Sequence, residues 1–159
     1  VDTTGIDEVD FLIRTNKGEA LKSLTKTASG GEISRIMLAF KEIFADFDNV
    51  DTMIFDEIDT GISGRTAQIV GEKILDLSKR RQVISISHLP QIASLASNHI
   101  LISKRDVGDY TISSTEKIEE DNRTNEIARL IGGVNITGIT INSASEMLTM
   151  AEELRNERR

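Results

Sequence analysis

The chain has 159 residues, 38% of them hydrophobic and 28% charged, with a formal net charge of −7. That length supports one domain with a real core, and the composition falls among soluble globular chains; the acidity argues against a general nucleic-acid binder, whose phosphate affinity comes from clustered Lys and Arg. The absence of Cys excludes a disulfide framework and a thiolate metal site, and no apolar run approaches the roughly 20 residues of a membrane span.

The first residue is Val rather than Met, which points to a piece of a longer protein. No basic-then-apolar signal segment follows it, so a cytoplasmic location is expected. Val9 to Thr15 mixes polar and β-favouring residues and predicts a strand, with Asn16 to Glu19 as a turn after it. Leu21 to Ala28 is polar and without a clear period, and reads as loop. At Ser29-Gly30-Gly31-Glu32 the pattern changes: Ile33, Ile36, Met37, Phe40, Ile43, Phe44 and Phe47 recur on one face at helical spacing. Ser29 and Glu32 have the spacing of a capping box at the start of that helix, and Asp48-Asn49 closes it.

Thr52-Met53-Ile54-Phe55 is a short apolar run, expected as a buried strand, that ends in the adjacent carboxylates Asp56 and Glu57. Thr60 to Gly64 is a loop after Asp59, and Ala67, Val70, Ile74 and Leu77 share the face of a second helix, which ends in Lys79-Arg80-Arg81 where the helix dipole favours positive charge. Gln82 to Ser87 is a second buried strand with His88 at its end. Pro90 opens a short helix reaching about Ala96. Ile100 to Ser103 and Tyr110 to Ser113 are expected as an antiparallel pair across a turn at Asp106 to Asp109. Glu119 to Asn122 reads as a polar link to a helix over Glu126 to Ile131, stopped by Gly132-Gly133; a last helix spans Ile141 to Leu154 with a frayed charged end at Arg155 to Arg159. Strands alternating with helices predict an α/β fold of mostly parallel strands with flanking helices, one domain over residues 1–159, whose ligand crevice lies at the carboxyl ends of the strands.

Burying two adjacent carboxylates is costly, so Asp56 and Glu57 are expected to face a cation, water or a reacting group. The pair fits nucleotide hydrolysis, with Asp56 holding Mg²⁺ and Glu57 polarising the attacking water; the plainer reading is a strand-end pair that caps the next turn. Ser29 to Glu32 caps its helix in any case, and Gly30 and Gly31 also leave backbone N–H groups open to phosphate oxygens. His88 is either a hydrogen-bonded structural histidine or a contact for a terminal phosphate, whereas His99 has no such placement. Asp59 reads by default as a loop acid that caps a helix. Arg35 and Lys79 to Arg81 read as solvated helix surface, with contact to DNA or phosphate as the sharper alternative.

The order of these parts resembles the C-terminal lobe of an ATP-binding-cassette ATPase head of the kind shared by SMC-like chromosome-maintenance proteins. Ser29-Gly30-Gly31-Glu32 resembles the signature motif, Met53-Ile54-Phe55-Asp56-Glu57 the Walker B strand, Asp59 the D-loop aspartate and His88 the switch histidine. Within that family the match narrows to a bacterial branch acting in DNA double-strand-break repair and recombination. It is carried by Thr15 to Gly18, Lys26 to Arg35, Phe55 to Gly64, Ser87 to Gln91 and Ala128 to Gly133. The resemblance implies ATP and Mg²⁺ as cofactors, with Glu57 and His88 catalytic, Asp56 at the metal, and Ser29, Gly30, Gly31, Glu32 and Asp59 at the nucleotide.

The chain contains no Gly-x-x-x-x-Gly-Lys-Ser/Thr and no sustained heptads. In the family the phosphate loop belongs to an N-terminal lobe beyond a long coiled coil, so the resemblance implies a partial head, inactive by itself. The implied partners are that lobe, a second head joined through ATP, and DNA ends, in the bacterial cytoplasm at the nucleoid. Asp56, Glu57 and His88 should then converge at one rim of the sheet, with the glycine-flanked helix tip apart from them and aimed at a companion molecule. Two rival readings are a non-catalytic dimerisation or partner-binding module, and a metal-dependent phosphoesterase using Asp56, Glu57 and Asp59.

Overall fold

A computed structural model describes residues 5–7, 9–14, 17–24, 29–45, 47 and 49–158. Eleven elements follow in chain order: β1 Leu12–Ile13, β2 Lys22–Ser23, α1 Gly30–Phe44, β3 Thr52–Phe55, α2 Gly64–Ser78, β4 Gln82–Ser85, α3 Pro90–Ala93, β5 His99–Val107, β6 Tyr110–Ile118, α4 Glu120–Gly132 and α5 Gly138–Glu157. The class is α/β. Among the described residues the parallel arrangement is confined to β3 and β4, while β1 with β2 and β5 with β6 are antiparallel. No helix among the described residues is long and apolar enough to cross a membrane.

The expected strand over Val9 to Thr15 shrinks to Leu12–Ile13, paired with Lys22–Ser23 where a loop was expected. Thr15, Asn16, residues 25–28, Asp48 and Arg159 lie outside the described residues. The capping box at α1 forms as its spacing requires: Ser29 Oγ accepts from the Glu32 N–H, and Glu32 Oε2 accepts from the Ser29 N–H at 2.9 Å.

β3 and β4 pair in register from Thr52 with Gln82 to Phe55 with Ser85, and α2 connects them as the crossover that parallel strands need. Met53 and Phe55 turn inward and pack with Leu38 of α1, Val70 and Leu77 of α2 and Ile92 of α3 in the main core. Gly71 lets α2 approach α3 closely, since a Cβ there would lie 2.7 Å from Leu95 Cδ1 and 3.2 Å from Gln91 O. The expected burial of these strands holds on one face only: Met53 and Phe55 are buried, while Ile54 and Ile84, and Ile86 just past β4, remain exposed. On α1 the regular apolar stripe is largely open: Ile33, Met37, Phe40, Ile43 and Phe44 are exposed, as is Phe47 beyond the helix, while Ile36 is half-buried and Leu38 makes the inward contact. Parallel sheets are almost always covered on both faces, and among the described residues this face is not.

The β5–β6 hairpin is longer than expected. Its turn is only Gly108-Asp109, and Gly108 takes φ +62°, the glycine-first arrangement of a type II′ hairpin turn. α4 begins at Glu120 rather than Glu126, so the expected polar link is helical; Gly133 ends it at φ +73° with its N–H on Arg129 O. α5 starts on a Thr137–Thr140 capping box, three residues earlier than its apolar period suggests. Its C-terminal end is anchored rather than frayed as far as Arg158. Arg155 Nη1 donates to the carbonyls of Ser94, Leu95 and Ala96, while Arg158 meets Glu72 at 2.9 Å and Asp76 at 3.0 Å on α2.

His99 opens β5 half-buried, and its Nδ1 has no hydrogen-bond partner among the described residues. Burial, and after it the nearby Arg123 guanidinium, lowers its pKa below the usual 6.5 against an opposing pull from Glu126. The unfolded chain therefore takes up a proton that the folded chain resists, so this contribution to stability is complete above the unfolded value and lost as pH falls through the folded one. Urea midpoints should drop between about pH 7 and pH 5.5 more steeply in the native chain than in His99→Gln. Equal slopes would show that His99 is not the group responsible.

Candidate functional site

The pairing of β3 with β4 decides where the candidate residues go. Because the strands run parallel and in register, Asp56 to Asp59 and Ser87-His88 leave the same end of the sheet, and Ile86 N–H still reaches Phe55 O at 2.9 Å beyond the last strand pair. The expectation of one shared rim for the acids and His88 is met. It is also the carboxyl end of the strands, where open α/β sheets bind ligands.

Asp56 and Glu57 are both exposed, and neither forms an ion pair with a described residue. Asp56 Oδ1 accepts the Glu57 N–H at 2.8 Å, which leaves its second oxygen toward the open side. Glu57 has φ +55°, the one positive value at a described residue other than glycine. A non-glycine residue there costs on the order of 1 kcal/mol, and such outliers collect where a side chain must be aimed. The turn is fixed from both sides, by the Asp56 carboxylate at its start and by the Thr60 N–H donating to Glu57 O at 3.0 Å.

Asp59 is the buried member of the set, 3% exposed, and its Oδ2 accepts two hydrogen bonds and lies against the His88 ring. Ser87 Oγ donates to it at 2.7 Å, the His88 N–H donates at 2.7 Å, and His88 Nδ1 lies 2.9 Å away. Ser87 Oγ accepts in turn from the Leu89 N–H at 3.1 Å. The His88 side chain is nevertheless 72% exposed, so one edge of the ring rests on Asp59 and the other is open.

The α1 tip is not separated from this rim, contrary to the sequence-based expectation. Gly31 is buried against the Asp56 to Thr60 loop, where a Cβ would lie 2.9 Å from Glu57 O and from Thr60 O; Gly30 is exposed, and a Cβ there would fall 2.5 Å from Glu57 Oε2. Ser29 and Glu32 hold the capping box at the edge of this contact. The helix returns to the strand ends because β3 runs back from the chain reversal that follows α1.

Two residues of α1 bind the loop from below and carry no sequence signal for it. Ser34 Oγ donates to Asp56 O at 2.8 Å, and Arg35 Nη1 donates to Ile58 O at 3.1 Å and Thr60 O at 2.8 Å. Arg35 is therefore a clamp on loop carbonyls rather than a solvated cation awaiting phosphate. In the same way Arg81 Nη2 donates to Ala45 O at 2.9 Å, closing the C-terminal end of α1, and Lys79 pairs with Asp76 at 3.1 Å.

No group of three or more His, Asp or Glu among the described residues is placed to hold a metal by itself. Mg²⁺ needs no such cage, since one or two carboxylates with substrate phosphates and water complete its shell. An exposed carboxylate with a free oxygen at a strand end fits that use, and Asp56 is such a group.

No family model matches the chain. Among curated proteins it is 48% identical over 151 residues to the DNA repair protein RecN of Halalkalibacterium halodurans, 47% identical over 151 residues to that of Bacillus subtilis and 42% identical over 144 residues to that of Treponema pallidum. These matches take in 95%, 95% and 91% of this chain but 27%, 26% and 25% of the relatives, so the chain spans about a quarter of their length. A solved chain from work described as "Structural biochemistry of ATP-driven dimerization and DNA stimulated activation of SMC ATPases" superimposes with a TM-score of 0.47 and 26% identity, over 64% of this chain and 60% of that one.

Proposed function

As the chain belongs to the RecN family, over about a quarter of its relatives' length, we propose that it is the C-terminal lobe of an SMC-like ATPase head acting in bacterial DNA double-strand-break repair and recombination. One observation carries this reading. An in-register parallel strand pair delivers Asp56, Glu57 and His88 to one edge, while Ile54 and Ile84 on the same strands stay exposed for want of a cover. That is the form of half a nucleotide site.

ATP is the substrate, and its phosphates are cradled mainly by the N-terminal lobe. When bound, Mg²⁺ supplies charge neutralisation at the phosphate oxygens. Asp56 would hold it with the carboxylate oxygen left free of the Glu57 N–H. Glu57, on its constrained turn, accepts a proton from the attacking water as the water oxygen bonds the terminal phosphorus and the bond from that phosphorus to the leaving ADP breaks. His88 presents its open edge to the terminal phosphate. Ser29, Gly30 and Gly31, backed by the Glu32 cap, offer backbone N–H groups to the ATP of a second head, so that ATP joins two heads and hydrolysis releases them. In the complete protein this cycle acts on DNA ends in the cytoplasm, at the nucleoid.

The open apolar groove of Ile33, Met37, Val50, Ile54 and Phe55 suits the N-terminal lobe as its cover. Ile54 is 65% exposed, so Ile54→Asp leaves this chain folded. It should abolish co-purification with the N-terminal lobe of a RecN relative, whereas Asp56→Ala should not. Equal capture of the Ile54→Asp chain would remove the covering surface from this face. The exposed α1 stripe also suits the rival reading of a non-catalytic partner-binding module, which predicts capture indifferent to nucleotide.

A further inference from the structure

We propose that Asp59 is a positioning residue for His88 within its own chain, rather than a group that touches nucleotide. The proposal takes its purpose from the ATPase reading above but rests on geometry independent of it. Asp59 is 3% exposed, and the one oxygen Oδ2 is met by Ser87 Oγ, the His88 N–H and His88 Nδ1 within 2.9 Å. At 3% exposure the carboxylate presents little surface to a ligand. Its contacts instead fix the two things a histidine needs before it can act, the ring orientation and the position of the proton.

Nδ1 lies 2.9 Å from a carboxylate oxygen, where a proton on Nδ1 is favoured because a bare ring nitrogen would set lone pair against lone pair. The neutral ring then carries its lone pair on Nε2, and Nε2 is the atom at the exposed edge of a side chain that is 72% open. A neutral His88 thus offers an acceptor to the site, and a protonated one offers an N–H donor to a phosphate oxygen with Asp59 as its counter-charge. Without Asp59 the ring is free to rotate about χ2 and to take the opposite tautomer. The Ser87 hydroxyl, donating to Oδ2 and accepting from the Leu89 N–H, ties the same carboxylate to the start of α3 and so holds the strand end under the ring.

The tautomer is read directly by long-range proton–nitrogen NMR of this chain labelled with ¹⁵N-histidine, above the ordinary histidine titration range, with His99→Gln to assign the two rings. The expected native result is His88 protonated at Nδ1 and bare at Nε2. Asp59→Asn should move the proton toward Nε2. In the head completed by its N-terminal lobe, the same substitution should lower turnover about 10- to 100-fold with KM for ATP unchanged, the size typical of a lost orienting partner. A native His88 that carries its proton mainly on Nε2 overturns the proposal, as does a tautomer indifferent to Asp59→Asn. If the Asn variant does not fold, the native ring decides alone. A completed head without turnover whose His88 is protonated at Nδ1 supports the positioning role and counts against the ATPase reading, so the two failures are distinguishable.

Discussion

Glu57→Gln in a head completed by the N-terminal lobe should slow ATP turnover by about 10²- to 10⁴-fold, the range associated with a positioned general base, while ATP binding stays near its native strength. Gln keeps the length and shape of Glu and takes away its ability to receive a proton. Two features of the structure make this substitution a clean one. The Glu57 side chain is exposed and without an ion pair among the described residues, so the fold should lose no more than about 0.5 kcal/mol. The main-chain contacts that hold its φ of +55°, from the Asp56 carboxylate and the Thr60 N–H, do not involve the carboxyl group that is changed. Slow hydrolysis with intact binding should also accumulate the ATP-joined pair of heads, visible as a stable dimer by sedimentation. Unchanged turnover would mean that another group activates the water and that the strained turn at Glu57 serves the fold alone.

The nearness of Gly30 to Glu57 gives that experiment a second meaning. Glu57 Oε2 occupies the space where a Gly30 side chain would begin, so the α1 tip and the Glu57 carboxylate, to which the proposal gives separate roles, share one patch. Gly31 is the stricter position, because the atoms a side chain would strike are the backbone carbonyls of Glu57 and Thr60, which cannot swing aside as a carboxylate end can. The two glycines, similar on paper, thus have different jobs: one keeps the tip open, the other lets the helix seat on the loop.

Much of this was legible in the residues because the signals were local. Ser29 and Glu32 are three apart and cap their own helix; Gly133 follows the last apolar position of α4 and ends it; Thr52 to Phe55 reads as a strand from its composition. The acids and His88 could be placed at one rim because alternating strands and helices imply parallel strands, which end together. What stayed hidden depended on partners far along the chain or outside it. The α1 stripe of Ile33, Met37, Phe40 and Ile43 has the period of a core-facing helix, and sequence cannot say that the described residues leave it exposed. Lys104 to Val107 and Ser114 to Lys117 carry no apolar alternation, since both faces of that hairpin are exposed and cross-strand hydrogen bonds and the tight turn extend it.

Arg155 and Arg158 look like a solvated tail, because their acceptors are the carbonyls at the end of α3 and two acids on α2. Backbone acceptors leave no trace in sequence. Asp59 hides its surroundings for a related reason. A lone acid in a glycine-bordered loop gives no hint of burial until the Ser87 hydroxyl and the His88 N–H are seen to converge on it.

Half a site should do nothing until it is given the other half. The described residues offer acids, a histidine and an open helix tip, and the sequence has no phosphate-binding loop with its lysine to hold a triphosphate against them. The measurement that tests this most directly is steady-state ATP hydrolysis by this chain alone, by the N-terminal lobe alone and by the two mixed. Activity in the mixture only, abolished by Asp56→Ala, is the result expected. Hydrolysis by this chain alone at the rate of the mixture, or a stable mixture of the two lobes that binds ATP and does not hydrolyse it, would contradict the account.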